Sequence, residues 1–270
     1  MKLVNKIDSI NSLISSFGSV LVALSGGVDS SVLLKLAVDC LGPSRVLAAT
    51  THSETSTLEE IELAARIAGI CGISHEIIPI SDLSIPEFAA NPANRCYYCQ
   101  SSRFRMLRQT ADAKGFKEVL DGSNQSDQGD YRPGQKALIE LGIRSPLKEC
   151  GFTKDEIRQL AKSFALPNWN RPANACLSSR FPYGTPITAE DLGRVAAGEK
   201  LLHSLGLTQC RLRHHGRIAR IEAPPEEFSI LLDPGQRGRL VAGIKDLGYA
   251  YVTLDLQGYR TGSLNEVIKI

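Results

Sequence analysis

Residues 19–40 read SVLVALSGGVDSSVLLKLAVDC, and the order of their parts decides the fold. SVLVAL is a short, β-branched apolar run of the kind that makes a buried strand. SGGVDSS follows at once, and then Val32, Leu33, Leu36 and Ala37 recur at helical spacing. Strand, glycine turn and helix in that order form a βα unit. Its turn brings backbone N–H groups, hydroxyls and a helix N-terminus to one place, which suits an anion. Ser25, Gly26, Gly27, Ser30 and Ser31 are the candidate cradle residues. Asp29, in the first helical turn, is a candidate for holding Mg²⁺ on a bound polyphosphate. The pattern is not GxxxxGK[ST], so the loop lysine of that motif is missing. A cradle of this kind holds pyrophosphate, which directs attack to the α-phosphorus and implies an adenylate. A plain glycine turn with a serine cap is the competing reading.

The alternation continues outward. Residues 45–50, 75–80 and 117–124 read as further strands. Helices are expected over 29–40, 56–70, 103–114 and 153–164, with Ser56 and Glu59 as a capping pair. Strands alternating with helices predict a doubly wound parallel α/β sheet, which binds ligands at the carboxyl ends of its strands. Near Pro167 the composition shifts, and 171–187 reads as a linker or active-site loop. Beyond it, 188–205 and 238–247 read as helices, and CRLRHHG, RIARIEA and YAYVTLDL as strands. The expected domains are therefore 1–170, the loop 171–187, and a smaller α+β domain over 188–270.

Bulk composition excludes little but constrains the rest. The 270 residues carry a net charge of +2, so no global field calls for nucleic acid. No apolar run reaches membrane-spanning length, and the N-terminal residues have no signal-peptide core. A cytoplasmic location is expected, in which the seven cysteines stay reduced. Four of them, Cys40, Cys71, Cys150 and Cys210, fall mostly in apolar segments and read as core residues. Cys96 and Cys99 form a single C-x-x-C in NRCYYCQSSRF. Cys176 lies in RPANACLSSRFPYG, where Arg171 and Arg180 could favour a thiolate. Three such thiolates can hold three irons of a 4Fe-4S cluster and leave the fourth open. A redox dithiol, a weak zinc site and no site at all remain as alternatives. Arg211 and Arg213 alternate along one strand and share a face. His214 and His215 are adjacent and point to opposite faces.

SGGVDSS resembles the PP-loop of the ATP pyrophosphatase superfamily. That resemblance implies ATP as cofactor, with Thr50, Thr51 and Ser53 at the end of the second strand facing the nucleotide. Seven blocks in order, namely SGGVDSS, NRCYYCQSSRF, DGSNQSDQGDYRPG, RSPL, RPANACLSSRFPYG, RLRHHG/RIARIE and LDLQGYRTGSLNE, resemble the LarE family over nearly the whole chain. This family comprises the ATP-dependent sulfur transferases of nickel-pincer cofactor synthesis. The resemblance implies adenylation of both carboxylates of pyridinium-3,5-biscarboxylic acid mononucleotide, followed by delivery of sulfur to give thiocarboxylates. One branch of the family sacrifices the cysteine matching Cys176. The three-cysteine branch, which Cys96, Cys99 and Cys176 match, carries sulfide on a 4Fe-4S cluster.

Arg211, Arg213 and Arg260 are then candidates for the substrate phosphate, and Arg180 for charge developing at the adenylate. Glu199 and Asp233 are candidate metal-binding or water-positioning carboxylates. The expected partners are the mononucleotide and further copies of the chain in a homo-oligomer, with neither nucleic acid nor membrane. The rival readings are a tRNA thiolase, an amide-forming ligase and a non-catalytic ATP-binding regulator.

Overall fold

The computed structural model describes residues 3–127, 133–172, 175–260 and 262–267. Residues 128–132 of the DGSNQSDQGDYRPG block, 173–174 of RPANACLSSRFPYG and 261 of the C-terminal block lie outside the described residues. In chain order the first elements are α1 (Leu3–Phe17), β1 (Val20–Ala23), α2 (Val28–Leu41), β2 (Val46–His52), α3 (Leu58–Ile70), β3 (His75–Pro79), α4 (Pro86–Ala89) and α5 (Arg95–Lys114). They continue with β4 (Glu118–Leu120), α6 (Gly134–Glu140), α7 (Pro146–Glu149), α8 (Lys154–Ser163), α9 (Ala189–Ser204), β5 (Arg211–His215), β6 (Ile218–Glu222), α10 (Phe228–Leu232), α11 (Pro234–Asp246) and β7 (Tyr251–Leu254). No described helix is long and apolar enough to cross a membrane.

The chain divides into two compact units, 1–82 with 94–174 and 83–93 with 175–270. The first is the expected parallel sheet, in the order β3-β2-β1-β4, with every pairing parallel. Alternation along its strands splits the core. Val20, Val22, Val46, Ala48 and Leu120 pack on one face with α1, α2 and α8, while Leu21, Leu47, Ala49 and Val119 pack on the other with Phe104 and Leu107 of α5. Both faces are covered, which is why these strands read as continuous apolar runs. The strand order reverses at β1, so a crevice opens at the carboxyl ends of β1 and β4. Both SGGVDSS and the turn after β4 lie there.

The structure differs locally from the sequence reading. Helix α1 was not anticipated. The capping box of α3 is Thr57 with Glu60, one residue beyond the expected Ser56 and Glu59. NRCYYCQSSRF is no loop, because α5 begins at Arg95 and carries both cysteines in its first two turns.

The second unit has the small sheet β5-β6-β7, antiparallel between β5 and β6 and parallel between β6 and β7. Segment 83–93 joins this unit through Asn91. Its side-chain amide donates to the carbonyls of Pro182 (2.8 Å) and Thr185 (2.9 Å), and its own carbonyl accepts from Gly184 N at 2.8 Å. On β5, Leu212 and His214 face inward, with His214 stacked on Phe181 at 5.1 Å. Arg211 and Arg213 occupy the other face and are buried as well.

Candidate active site

In the first unit, the turn after β1 is shaped by Gly26. Its φ of +77° is the left-handed conformation, and a Cβ there would lie 2.8 Å from the Glu60 carbonyl oxygen, so only glycine fits. Gly27 caps α2 without any side-chain hydrogen bond, which leaves the helix N-terminus open. The loop carbonyls are drawn back from that opening. Gly27 O accepts from Ser30 Oγ (3.1 Å) and Ser31 Oγ (2.7 Å), and Gly26 O accepts from Asn168 Nδ2 (2.8 Å). Ser25 Oγ and Ser30 Oγ are 3.1 Å apart at the mouth of the turn. Ser31 is fully buried behind it. The turn after β4 closes the other side. A Cβ on Gly122 would meet Ser30 N at 2.8 Å. The result is a cradle of backbone donors, suited to a polyphosphate.

Asp29 projects from the first turn of α2. Its carboxylate accepts from Asn124 Nδ2 at 3.1 Å and pairs with Lys154 Nζ at 2.5 Å. The chain thus places a lysine from the first turn of α8 beside the cradle, although the loop motif itself has none. Thr50 and Ser53 are buried, and their hydroxyls are spent on neighbours. Thr50 donates to Leu24 O and lies 2.7 Å from His75 Nε2. Burial pushes the His75 pKa down.

Ser53 belongs to a network that sequence reasoning missed. Asp82, whose side chain is fully buried, accepts from Ser53 Oγ (2.6 Å), Thr55 Oγ1 (2.8 Å) and Arg103 Nη2 (2.6 Å). Burial would raise the Asp82 pKa, but the charge and hydrogen bond of Arg103, with those of Ser53 and Thr55, outweigh it and hold the carboxyl below the usual carboxylate range. Arg103 also donates Nε–H to Cys99 Sγ at 3.0 Å and Nη1–H to Thr51 at 3.4 Å. Cys96 and Cys99 are three apart on α5 and share a helix face.

In the second unit, Cys176 is exposed, with Sγ 2.9 Å from Ser178 Oγ. Its loop is pinned from beneath by Arg180, which is 1% exposed. Arg180 forms a bidentate pair with Glu199 (2.8 and 2.9 Å) and donates to the carbonyls of Ala175 (2.6 Å) and Cys176 (3.1 Å). Glu199 also accepts from Leu212 N at 3.0 Å. Arg180 and Glu199 therefore tie the cysteine loop to β5. Asp233 caps α11, accepting from Gln236 N at 3.0 Å.

The remaining arginines lie on β5 (Arg211 and Arg213), on β6 (Arg220) and in the C-terminal segment (Arg260). Arg213 donates to Ser179 O (2.7 Å), Glu222 (2.7 Å) and Ser263 Oγ (2.9 Å). Arg220 shares Glu222 at 3.0 Å, and Arg260 is paired with Glu266. Arg211 donates to Cys210 O and lies over the Tyr259 ring at 5.2 Å. Burial lowers the Arg211 pKa, and the neighbouring Arg180 lowers it further. Among the described residues, Arg213 Nε and Arg260 Nη1 are buried N–H donors that find no hydrogen-bond acceptor, and Arg220 Nε lies 3.5 Å from Asp255 Oδ2. Buried cationic donors left open in this way suit an anion. Arg220, Ser179 and Ser263 were not singled out from sequence. The pairing of Arg213 with Arg220 across β5 and β6 was the available signal.

No group of three or more His, Cys, Asp or Glu side chains assembles as a metal site among the described residues. None of the seven cysteines is joined in a disulfide. Cys96 and Cys99 belong to the first unit and Cys176 to the second.

Comparison with known proteins gives these features a context. The family model for NAD synthase matches residues 3–128, the stretch that holds the cradle and the cysteine helix. An uncharacterised protein of Synechocystis is 43% identical over 98% of this chain and 98% of its own length. The pyridinium-3,5-bisthiocarboxylic acid mononucleotide synthase of Lactiplantibacillus plantarum is 40% identical over 92% of this chain and 90% of its own. An uncharacterised protein of Methanocaldococcus jannaschii is 26% identical over 90% and 91%.

Proposed function

The chain belongs to the LarE family of pyridinium-3,5-bisthiocarboxylic acid mononucleotide synthases, and on that premise we propose that it is an ATP-dependent sulfur transferase acting on the pyridinium dicarboxylate mononucleotide. The observation that carries this reading is the presence in one chain of two anion sites of different make. One is a backbone-donor cradle for a polyphosphate, and the other a set of arginines with unmet donors for a second phosphorylated molecule.

In the first step, the amides after β1 with Ser25 and Ser30 hold the ATP phosphates. Asp29, paired with Lys154 in the free protein, is the residue that would hold Mg²⁺, and the ion would supply charge neutralisation on the phosphates; Lys154 lies beside them as a second positive charge. A substrate carboxylate attacks the α-phosphorus, the bond to pyrophosphate breaks, and an acyl adenylate forms. Arg211, Arg213 and Arg260 hold the substrate phosphate, as guanidinium forks suit phosphate. Arg180 serves as a positioning residue that shapes the Cys176 loop. Sulfur then displaces AMP from the acyl carbon.

For sulfur delivery, Cys96, Cys99 and Cys176 are the donors that would hold a 4Fe-4S cluster. Three thiols outside any disulfide are a fitting donor set. When bound, such a cluster supplies an open iron site that carries sulfide. The exposure of Cys176 favours a second reading, in which its thiolate displaces AMP to give a thioester and loss of the Cys176 α-proton with cleavage of the Cβ–S bond leaves the thiocarboxylate and dehydroalanine.

Both readings meet a test on one incubation with ATP, Mg²⁺, sulfide and the mononucleotide, with reconstituted iron. AMP, pyrophosphate and thiocarboxylate are expected. ADP and phosphate would exclude the adenylation. More product than protein with an intact Cys176 supports the cluster, whereas a chain lighter by one hydrogen sulfide, with product capped at the protein concentration, identifies the sacrificial donor.

A further inference from the structure

Asn168 is a buried amide just behind the cradle, 1% exposed. Its Nδ2 donates to Gly26 O at 2.8 Å and to Ser31 Oγ at 2.9 Å, which uses both of its hydrogens. Ser31 Oγ in turn donates to Gly27 O at 2.7 Å. The carbonyl of Gly26 can only accept, so the amide nitrogen must face it and the orientation of the side chain is fixed. The consequence falls on the other end, where Oδ1 is buried and finds no donor among the described residues. An orphaned buried acceptor is destabilising. A leucine of similar size would avoid it, and an aspartate would offer no donors.

We propose that Asn168 is a positioning residue for the nucleotide. Directly at Gly26, and through Ser31 at Gly27, it turns two loop carbonyls away from the phosphates so that the open N–H end of α2 faces the anion. An unheld carbonyl would present its negative end to the same phosphates. The proposal rests on reading the loop as the ATP cradle. It adds that a residue far along the chain, on the stretch after α8, sets the affinity of that cradle.

The test compares Asn168→Leu and Asn168→Asp with the wild type in the full-length protein, by titration with ATP and separately with the mononucleotide, and by thermal melting. Leucine removes both donors and the orphaned acceptor together. It is expected to leave the melting temperature of the free protein near that of the wild type and to weaken ATP binding about tenfold, with mononucleotide binding unchanged. Aspartate is expected to weaken ATP binding further, because it puts a negative charge behind the loop. Should the leucine variant fail to fold, the aspartate variant is read alone. ATP binding at wild-type strength in the variant that folds, or equal losses for both ligands, would overturn the proposal. Failure of the wild type to bind ATP would overturn the cradle reading and the proposal with it.

Discussion

The first unit meets an anion with backbone amides, and the second meets one with guanidinium groups. The amide cradle costs little to keep empty, since its donors lie at an open helix end and its carbonyls are tied back by Ser30, Ser31 and Asn168. The arginine face must be held together by carboxylates. Glu199 and Glu222 neutralise the cations that burial would otherwise expel, and Glu266 pairs with the more exposed Arg260. The cradle's specificity therefore lies in backbone shape and the other's in charge balance. The two should fail in different ways when perturbed.

The largest expected effect is on the balanced side. Glu199→Gln leaves Arg180 buried without its counter-ion, which should cost about 3–5 kcal/mol of stability. Denaturant melts that show a loss below about 1 kcal/mol would mean that Arg180 is not held as described. Asp82→Asn asks the same of the first unit, where the pair with Arg103 lies outside the cradle. A loss of about 1.5–3 kcal/mol is expected at neutral pH. The Asp82 carboxyl is held below the usual range in the fold, so its contribution is full above the unfolded value, near pH 4. It is lost as pH falls through the lower folded value, and the two proteins should converge there.

How much of this was legible beforehand follows the same division. SGGVDSS is contiguous, and a turn with an open helix end can be read from neighbours in sequence. Arg211 and Arg213 could be placed on one face because strand alternation is local. The partners of Arg213 could not, since Ser179, Glu222 and Ser263 come from three separate segments. Arg180 read as a free charge because nothing nearby in sequence reveals Glu199 beneath it. Thr50 and Ser53 sit where the fold predicted, at the end of β2. Side-chain direction and the partners His75 and Asp82, both remote in sequence, commit their hydroxyls elsewhere. The cysteine helix was missed at its start because RCYYCQSS lacks an apolar stripe, and α5 is anchored further along by Phe104, Leu107 and Ala111.

A smaller effect sharpens the comparison through pH. His75 in the first unit and His214 in the second have pKa values lowered by burial. The fold keeps them neutral while the unfolded chain takes up protons below about pH 6.5, so stability should fall from pH 7 toward pH 5. Each contributes at most about 1.4 kcal/mol per pH unit. One lies in each unit, so calorimetry should show the unfolding of both moving to lower temperature as the pH falls. Melting that does not move between pH 7 and pH 5 would contradict the neutral state of these histidines.

The most direct test of the two-site account is a crossed titration. Gly26→Ala strains the cradle alone, and Arg211→Ala removes one cation whose only described protein acceptor is the Cys210 carbonyl. ATP and the pyridinium dicarboxylate mononucleotide are titrated into each variant by calorimetry. The account predicts that Gly26→Ala loses about 100-fold in ATP affinity and keeps the mononucleotide. Arg211→Ala should lose about 1.5–3 kcal/mol of mononucleotide binding and keep ATP. Parallel losses of both ligands in both variants would contradict it.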